Sequence, residues 1–287
     1  MANFLKRLFV IFFLLSFKAY SLESLKWYTE EYPPFNFRGK DKKTLSGISV
    51  EILESVHKRL KEKGQLGRRI LRKEYRLIPW KRAYLKAQRR GQKNVVFSTT
   101  RTKEREQKFK WFGPIAKNVN AIFAPKGIKK LNKKNIVNEI NRHGVISVRG
   151  DVAVDLVLRL GVPKFKIQEV SRLEHAFGMV KKKRKRFFAY GALTSYYKMK
   201  SAGIKVEDFE IVYSLGEVEL WYAVNKSVSD RTVSAYQRVL EKVKREDSNL
   251  KNTLLREFNL KIEDTLREKS SFARGKCPYK KIKCGEW

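Results

Sequence analysis

Short apolar runs of β type alternate along this chain with stretches whose apolar residues recur every three or four positions. That alternation limits the fold more than any single motif. Residues 25–29, 75–78 and 95–97 are β-type runs. Between them Ile48, Ile52, Val56 and Leu60 recur at i+4, and Trp80, Ala83, Tyr84 and Ala87 share one helical face. The alternation restarts with strands predicted at 121–124, 145–148, 165–170, 187–190, 210–213 and 218–224. Helices are expected over 131–142, 152–160, after a Ser171/Glu174 capping box, from 191 onward, and across 230–258. Strand–helix–strand repetition predicts βαβ units and parallel pairing. Two such units of similar size, with no alignable internal repeat, predict two lobes of an α/β protein.

The most informative junction is residues 94–114, NVVFSTTRTKEREQKFKWFGP. An apolar run, Val95 to Phe97, leads into the hydroxyl residues Ser98, Thr99 and Thr100, and a charged segment of helical composition follows over 102–109. A helix start presents unpaired N–H groups and the positive end of its dipole, which favour an anion. Arg105 in its first turn has the fork geometry to grip a carboxylate in two-point fashion. An arginine held for a ligand in this way is expected to have no structural partner. The same segment also reads as a solvated surface helix. Upstream, Glu30, Glu31, Tyr32 and two prolines form a stiff loop at a strand's end, where α/β sheets place ligands.

The 287-residue chain is 42% hydrophobic, too apolar for a disordered polymer. Residues 1–21 have a basic start, an apolar middle at 8–17 and a small-x-small ending, Ala19-Tyr20-Ser21. This is the pattern of a cleaved secretory signal, too short for a comfortable membrane span, so a periplasmic location is expected. Lys and Arg number 65 against 29 Asp and Glu, a formal charge of +36. Such a chain attracts polyanions without specificity. The basic residues are spread along the sequence, so no specific nucleic-acid partner is expected, and the run 181–186 is read as a solvated loop. Cys277 and Cys284 lie in a basic tail at 271–287, where an oxidising compartment favours a local disulfide. His57, His143 and His175 lack ligand spacing, so neither metal nor other cofactor is expected.

The ordered set TEEYPPF, LSGISVEILESV, IPWKRAY, VVFSTTRTKEREQKFKWFGP and GVISVRGDVAVD, spread over about 27–226, resembles the family 3 extracellular solute-binding proteins. That resemblance implies a two-lobed, type II periplasmic-binding-protein-like fold with a ligand cleft between lobes. Lobe 1 would be discontinuous, 22–118 and 218–270, with lobe 2 at 119–217. Crossing strands are expected near 118–123 and 215–222. The implied activity is capture of a small carboxylate-bearing ligand by a monomer serving an ABC permease. Thr102-x-x-Arg105 matches the family's T-x-x-R, whose arginine binds the ligand carboxylate, with Thr100 as a further donor. Tyr32 and Trp80 match the aromatic pair that sandwiches the ligand, although either also suits a core. Gly150-Asp151 matches the lobe 2 turn.

Two departures stand out. Asp151 replaces the usual threonine and opposes a carboxylate, so it either caps its own helix or pairs with an ammonium. The segment 188–193 lacks the acid that takes the α-ammonium in amino-acid binders; Glu30, Glu31 and Asp151 are the substitutes. The competing readings are an enzyme similar to cyclohexadienyl dehydratase and a basic envelope-binding protein. A binder, not an enzyme, is expected.

Overall fold

A computed structural model describes residues 21–39, 43–128, 130–247 and 250. The expected leader ahead of Ser21, the cysteine pair and the chain after 250 lie outside the described residues. The first part carries β1 (Lys26–Thr29), a small hairpin β2 (Phe37–Arg38) and β3 (Leu45–Ser46), then α1 (Ile48–Glu62). β4 (Arg76–Leu77), α2 (Trp80–Gln88), β5 (Asn94–Thr100) and a single turn α3 (Lys103–Glu106) follow. Next come the long strand β6 (Phe109–Pro125), α4 (Lys133–His143), β7 (Val145–Val148) and α5 (Val152–Arg159). The last part holds β8 (Ile167–Val170), α6 (Leu173–Lys181), β9 (Phe187–Gly191), α7 (Ala192–Ser201), the second long strand β10 (Phe209–Asn225) and α8 (Asp230–Glu246).

Eight strands form one sheet in the order β4-β1-β5-β10-β6-β9-β7-β8. β1 is parallel to both β4 and β5, and β7 is parallel to both β8 and β9. Between these parallel groups run β6 and β10, antiparallel to each other from Phe109↔Asn225 to Pro125↔Phe209. The protein therefore has two α/β lobes joined by two crossing strands.

Several expected elements differ in extent. The strands predicted at 210–213 and 218–224 are one strand, because register shifts absorb the interruption at Ser214 and Gly216. β6 begins twelve residues before the predicted 121, hidden in sequence by Gly113-Pro114. Pro114 is tolerated because this part of β6 pairs with β10 alone and the registered pairs skip from Phe112 to Ala116. The helix predicted for 102–109 stops at Glu106, since Phe109 onward is needed in the sheet. The Ser171/Glu174 capping box does not form: Arg172 occupies the N-cap position of α6, and Glu174 accepts from Lys198 Nζ at 3.0 Å. Residues 165 and 166, predicted as strand, belong to a 3₁₀ turn over Lys164–Lys166 before β8.

Strand parity sorts the core into faces. Trp27, Val95, Phe97, Phe123, Phe188 and Tyr222 belong to one large cluster that runs through both lobes. Their neighbours point the other way into two separate clusters. Tyr28, Val96 and Ala223 pack with Trp80, Ala83 and Tyr84 of α2, while Ile122, Ala124, Val145 and Ala189 pack with α4 and α5. On α1, burial of Ile52, Leu53, Val56 and Leu60 fixes the helix to the sheet, each side chain contributing about 1.5–3 kcal/mol. The sheet is thus cored continuously on one face, and on the other its two cores part in the middle.

Candidate functional site

β1 and β5 end at Thr29 and Thr100, β7 and β9 at Val148 and Gly191, and these two sets of strand ends face each other. Gly150 sits in the turn after β7 with φ +71°, a conformation that favours glycine. Its N–H donates to Glu169 Oε2 at 3.1 Å. Its carbonyl accepts from Trp80 Nε1 at 2.8 Å and from Arg105 Nη2 at 3.1 Å, so residues of both lobes meet on one peptide group.

Arg105 is 5% exposed. Its Nη1 donates to the Thr100 carbonyl at 3.2 Å, and its guanidinium lies 5.4 Å from the ring centres of both Trp80 and Tyr84. Asp155 Oδ2 is 4.0 Å from Nη2. The expectation that this arginine has no structural partner is therefore wrong: two carbonyls and two rings hold it. Just outside, Arg159 of α5 forks onto both carboxylate oxygens of Glu104 at 2.6 and 2.8 Å. That bridge is exposed and contributes at most about 1 kcal/mol.

Tyr32 packs face to face with Phe35 and edge-on to Tyr190, and its hydroxyl accepts from Asn118 Nδ2 at 2.6 Å. The Tyr32 hydroxyl stands so near Gly191 that a Cβ there would lie 2.6 Å from it. Burial, with Asp151 and Glu30 nearby, raises the phenol well above its ordinary value. Trp80 is a core member of the α2 cluster, and its indole also reaches Gly150 of the opposite lobe, so one side chain serves both the core and the contact between lobes.

Ser98 has φ +59° and turns inward: its hydroxyl bonds Ser49 Oγ at 2.7 Å and Asn36 Oδ1. Asn36 Nδ2 in turn donates to the Glu30 carbonyl at 2.7 Å, so Ser98 anchors the 30–36 loop. Glu31 accepts from the Arg38 N–H at 3.0 Å on the hairpin side. Asp151 Oδ1 accepts from Ala153 N–H at 2.8 Å, capping α5.

The acids carry unusual charge states. Burial, then the neighbouring Asp151, pushes the Glu30 carboxyl up to about 8, against the pull of Lys198 and Arg105. By area Glu30 is only half-buried. Burial raises Asp151 to about 6, opposed by the Ala153 N–H and Arg105. Burial also works to raise Glu174, but Lys198 and its own N–H hold it below the usual range. Lys198 and Asn118 were not singled out by the sequence, and Tyr84 was read only as part of a helix face. Asn118 and Asn120 had a signal: two polar residues of one parity interrupt an apolar strand. Among the described residues no group of three or more His, Cys, Asp or Glu is placed to hold a metal, and no helix is long and apolar enough to cross a membrane.

The sequence profile of the bacterial extracellular solute-binding proteins, family 3, matches residues 25–268. The chain belongs to that family. No curated protein matches the sequence. Solved structures similar to this family 3 protein include an ancestral arginine-binding protein bound to glutamine, at 18% identity and TM-score 0.62, covering 83% of this chain and 99% of that one. A substrate-binding protein of an ABC uptake transporter from Streptococcus pneumoniae, with bound histidine, matches at 13% identity and TM-score 0.65, covering 82% and 92%. A histidine kinase sensor domain with similarity to periplasmic binding proteins matches at 13% identity and TM-score 0.66, covering 81% and 96%. At such identities the likeness is one of fold, and it agrees with the two lobes and crossing strands seen here.

Proposed function

We propose that this family 3 protein captures a small carboxylate-bearing ligand, an amino acid or a close relative, in the cleft between its lobes. The carrying observation is Arg105: a buried guanidinium at the cleft, backed by Trp80 and Tyr84 and aimed at Gly150 of the opposite lobe. Its bonds to neutral carbonyls are weaker than the charge-assisted pair a carboxylate would form, so a ligand carboxylate displaces the Gly150 contact with gain. Trp80 and Tyr32 flank the ligand, Thr100 and Gly150-Asp151 border it, and Glu30 and Asp151 receive an ammonium if one is present. Lobe 1 comprises 22–118 and the described chain from 218 onward, and lobe 2 comprises 119–217; the expected extension of lobe 1 to 270 lies outside the described residues after 250. The leader directs a monomer to the periplasm, where it serves an ABC importer. Binding of amino acids by the transporter protein and the ancestral protein of this fold supports that choice, while the sensor domain keeps signalling as the other use of such a cleft.

An enzymatic reading has one observation in its favour. Glu30 and Asp151 keep different charge states near pH 7 in a shared cleft, as acid–base pairs do. An amine-binding site needs the same two carboxyls, and a binder is the simpler account. A thermal-shift screen of amino acids and small carboxylates tests the proposal. A cleft ligand binds only the native state and raises the melting temperature by mass action. The same ligand should leave the solution untransformed; turnover would favour the enzyme, and no stabilising carboxylate at all would remove the proposal.

A further inference from the structure

β6 carries Asn118 and Asn120 at the same parity as Ile122 and Ala124, which belong to the α4–α5 core. The β9 pairing confirms the face: Asn120 lies opposite Gly191, and Ile122 opposite Ala189. Both asparagines therefore project on the side where the two cores part, at the crossing between lobes. A Cβ built at Gly191 would come within 2.6 Å of both Asn118 Nδ2 and the Tyr32 hydroxyl, which puts Asn118 beside the tyrosine proposed above to flank the ligand. Both asparagines are buried, Asn120 completely.

Their hydrogen-bonding capacity is largely unspent. Asn118 uses Nδ2 on Tyr32, but its Oδ1 has no partner among the described residues. Neither Oδ1 nor Nδ2 of Asn120 has one. Buried polar atoms are paired in the great majority of native sites, and an apolar side chain would fill the same place without this cost. Two acceptors and one donor group thus await a complementary partner. A carboxylate satisfies only Asn120 Nδ2 and repels both carbonyl oxygens. An ammonium or guanidinium satisfies the oxygens and opposes Nδ2. A primary carboxamide offers two N–H donors and one carbonyl acceptor, and it alone of these matches the count.

We propose that Asn118 and Asn120 form an amide-reading subsite, so that the ligand is a carboxylate-bearing molecule with a primary carboxamide. This rests on the carboxylate-binding role of the cleft and narrows it. Sites built on buried polar groups discriminate strongly against analogues that leave those groups unpaired.

Calorimetric titration of the full mature chain with L-asparagine, L-aspartate, L-glutamine, L-glutamate and L-norvaline tests it. At least one amide should bind about tenfold or more tighter than its acid and than norvaline. Asn120→Leu should abolish that ratio while preserving the melting temperature, and Asn120→Val, which removes donor and acceptor together and suits a strand, should abolish it too. Equal affinity for amide and acid overturns the subsite, as does an amide preference that survives both variants or the absence of amide binding. Acid binding that depends on Arg105 without amide preference overturns the subsite alone and leaves the carboxylate role standing. Loss of Arg105 dependence in every complex counts against the carboxylate role instead.

Discussion

The indole Nε1 of Trp80 donates to the Gly150 carbonyl at 2.8 Å, tying the first residue of α2 to the turn after β7 across the cleft. Arg105 shares the same acceptor, so two side chains of the first lobe meet on this one carbonyl of the second. Trp80→Phe keeps an aromatic ring against Tyr84 and Arg105 while deleting the bond. The unliganded protein should then open, with a larger radius of gyration by small-angle scattering, and should lose only about 0.5–1.5 kcal/mol of stability. Unchanged dimensions would mean that the bond does not hold the lobes together.

Asp151 both caps α5 and crowds Glu30. Asp151→Asn keeps a good cap and removes a buried charge, so stability measured by urea denaturation should hold or rise. Asp151→Ala should cost about 0.5–2 kcal/mol. If the asparagine variant is as unstable as the alanine one, the charge and not the cap is what the fold needs.

Above pH 6.5 Asp151, raised to about 6, has mostly ionised, and the pH dependence near neutrality turns on two groups of opposite sign. Glu30 holds its proton up to about 8 in the folded protein against 4.5 ordinarily, so it favours folding at low pH and stops doing so as the pH climbs through 8. His57, buried against Trp27 and bonded to Tyr75, is lowered from 6.5 to about 3, so it costs stability only below 6.5. Between pH 6.5 and 8 Glu30 acts largely alone, and stability of the unliganded protein should fall there by at most about 1.4 kcal/mol per pH unit. In Glu30→Gln the decline should vanish. A decline of equal slope in that variant would assign it elsewhere.

Much of this arrangement was legible in the chain because local patterns and global fold agree. Ile48, Ile52, Val56 and Leu60 place α1 as expected, and the α2 face of Trp80, Ala83, Tyr84 and Ala87 is buried as predicted. What sequence patterns missed is tertiary. The one-turn length of α3 is set by the demand of β6 for Phe109, and the continuity of β10 by bulges that no periodicity reveals. Ser98 illustrates the same limit at the site: its hydroxyl sits in the right stretch, yet a left-handed backbone turns it onto Ser49 and Asn36. Lys198 pairs with Glu174 and bears on Glu30 from a helix that carries no motif.

Tyr32, the other aromatic of the pair, has separable structural and ligand-binding parts. Tyr32→Phe removes the acceptor for Asn118 Nδ2 and leaves a buried donor unpaired, costing about 1–3 kcal/mol of stability. Tyr32→Ala should in addition weaken ligand affinity, since ring contact adds attraction beyond buried area. Affinity untouched by Tyr32→Ala would place Tyr32 in the core alone.

The central claim is that Arg105 grips a ligand carboxylate, and calorimetric titration of its variants tests it most directly. The titrant is the carboxylate giving the largest thermal shift, with Arg101→Ala and Lys103→Ala as controls of equal charge. Arg101 is engaged elsewhere, forked onto Glu106 and stacked on Trp221. Arg105→Ala should lose nearly all affinity and Arg105→Lys much of it, about 2–5 kcal/mol for breaking a desolvated, two-point charge pair. The control variants should bind as the unaltered protein does. Small, equal, salt-sensitive losses at all three positions would contradict the claim and leave only a diffusely basic surface.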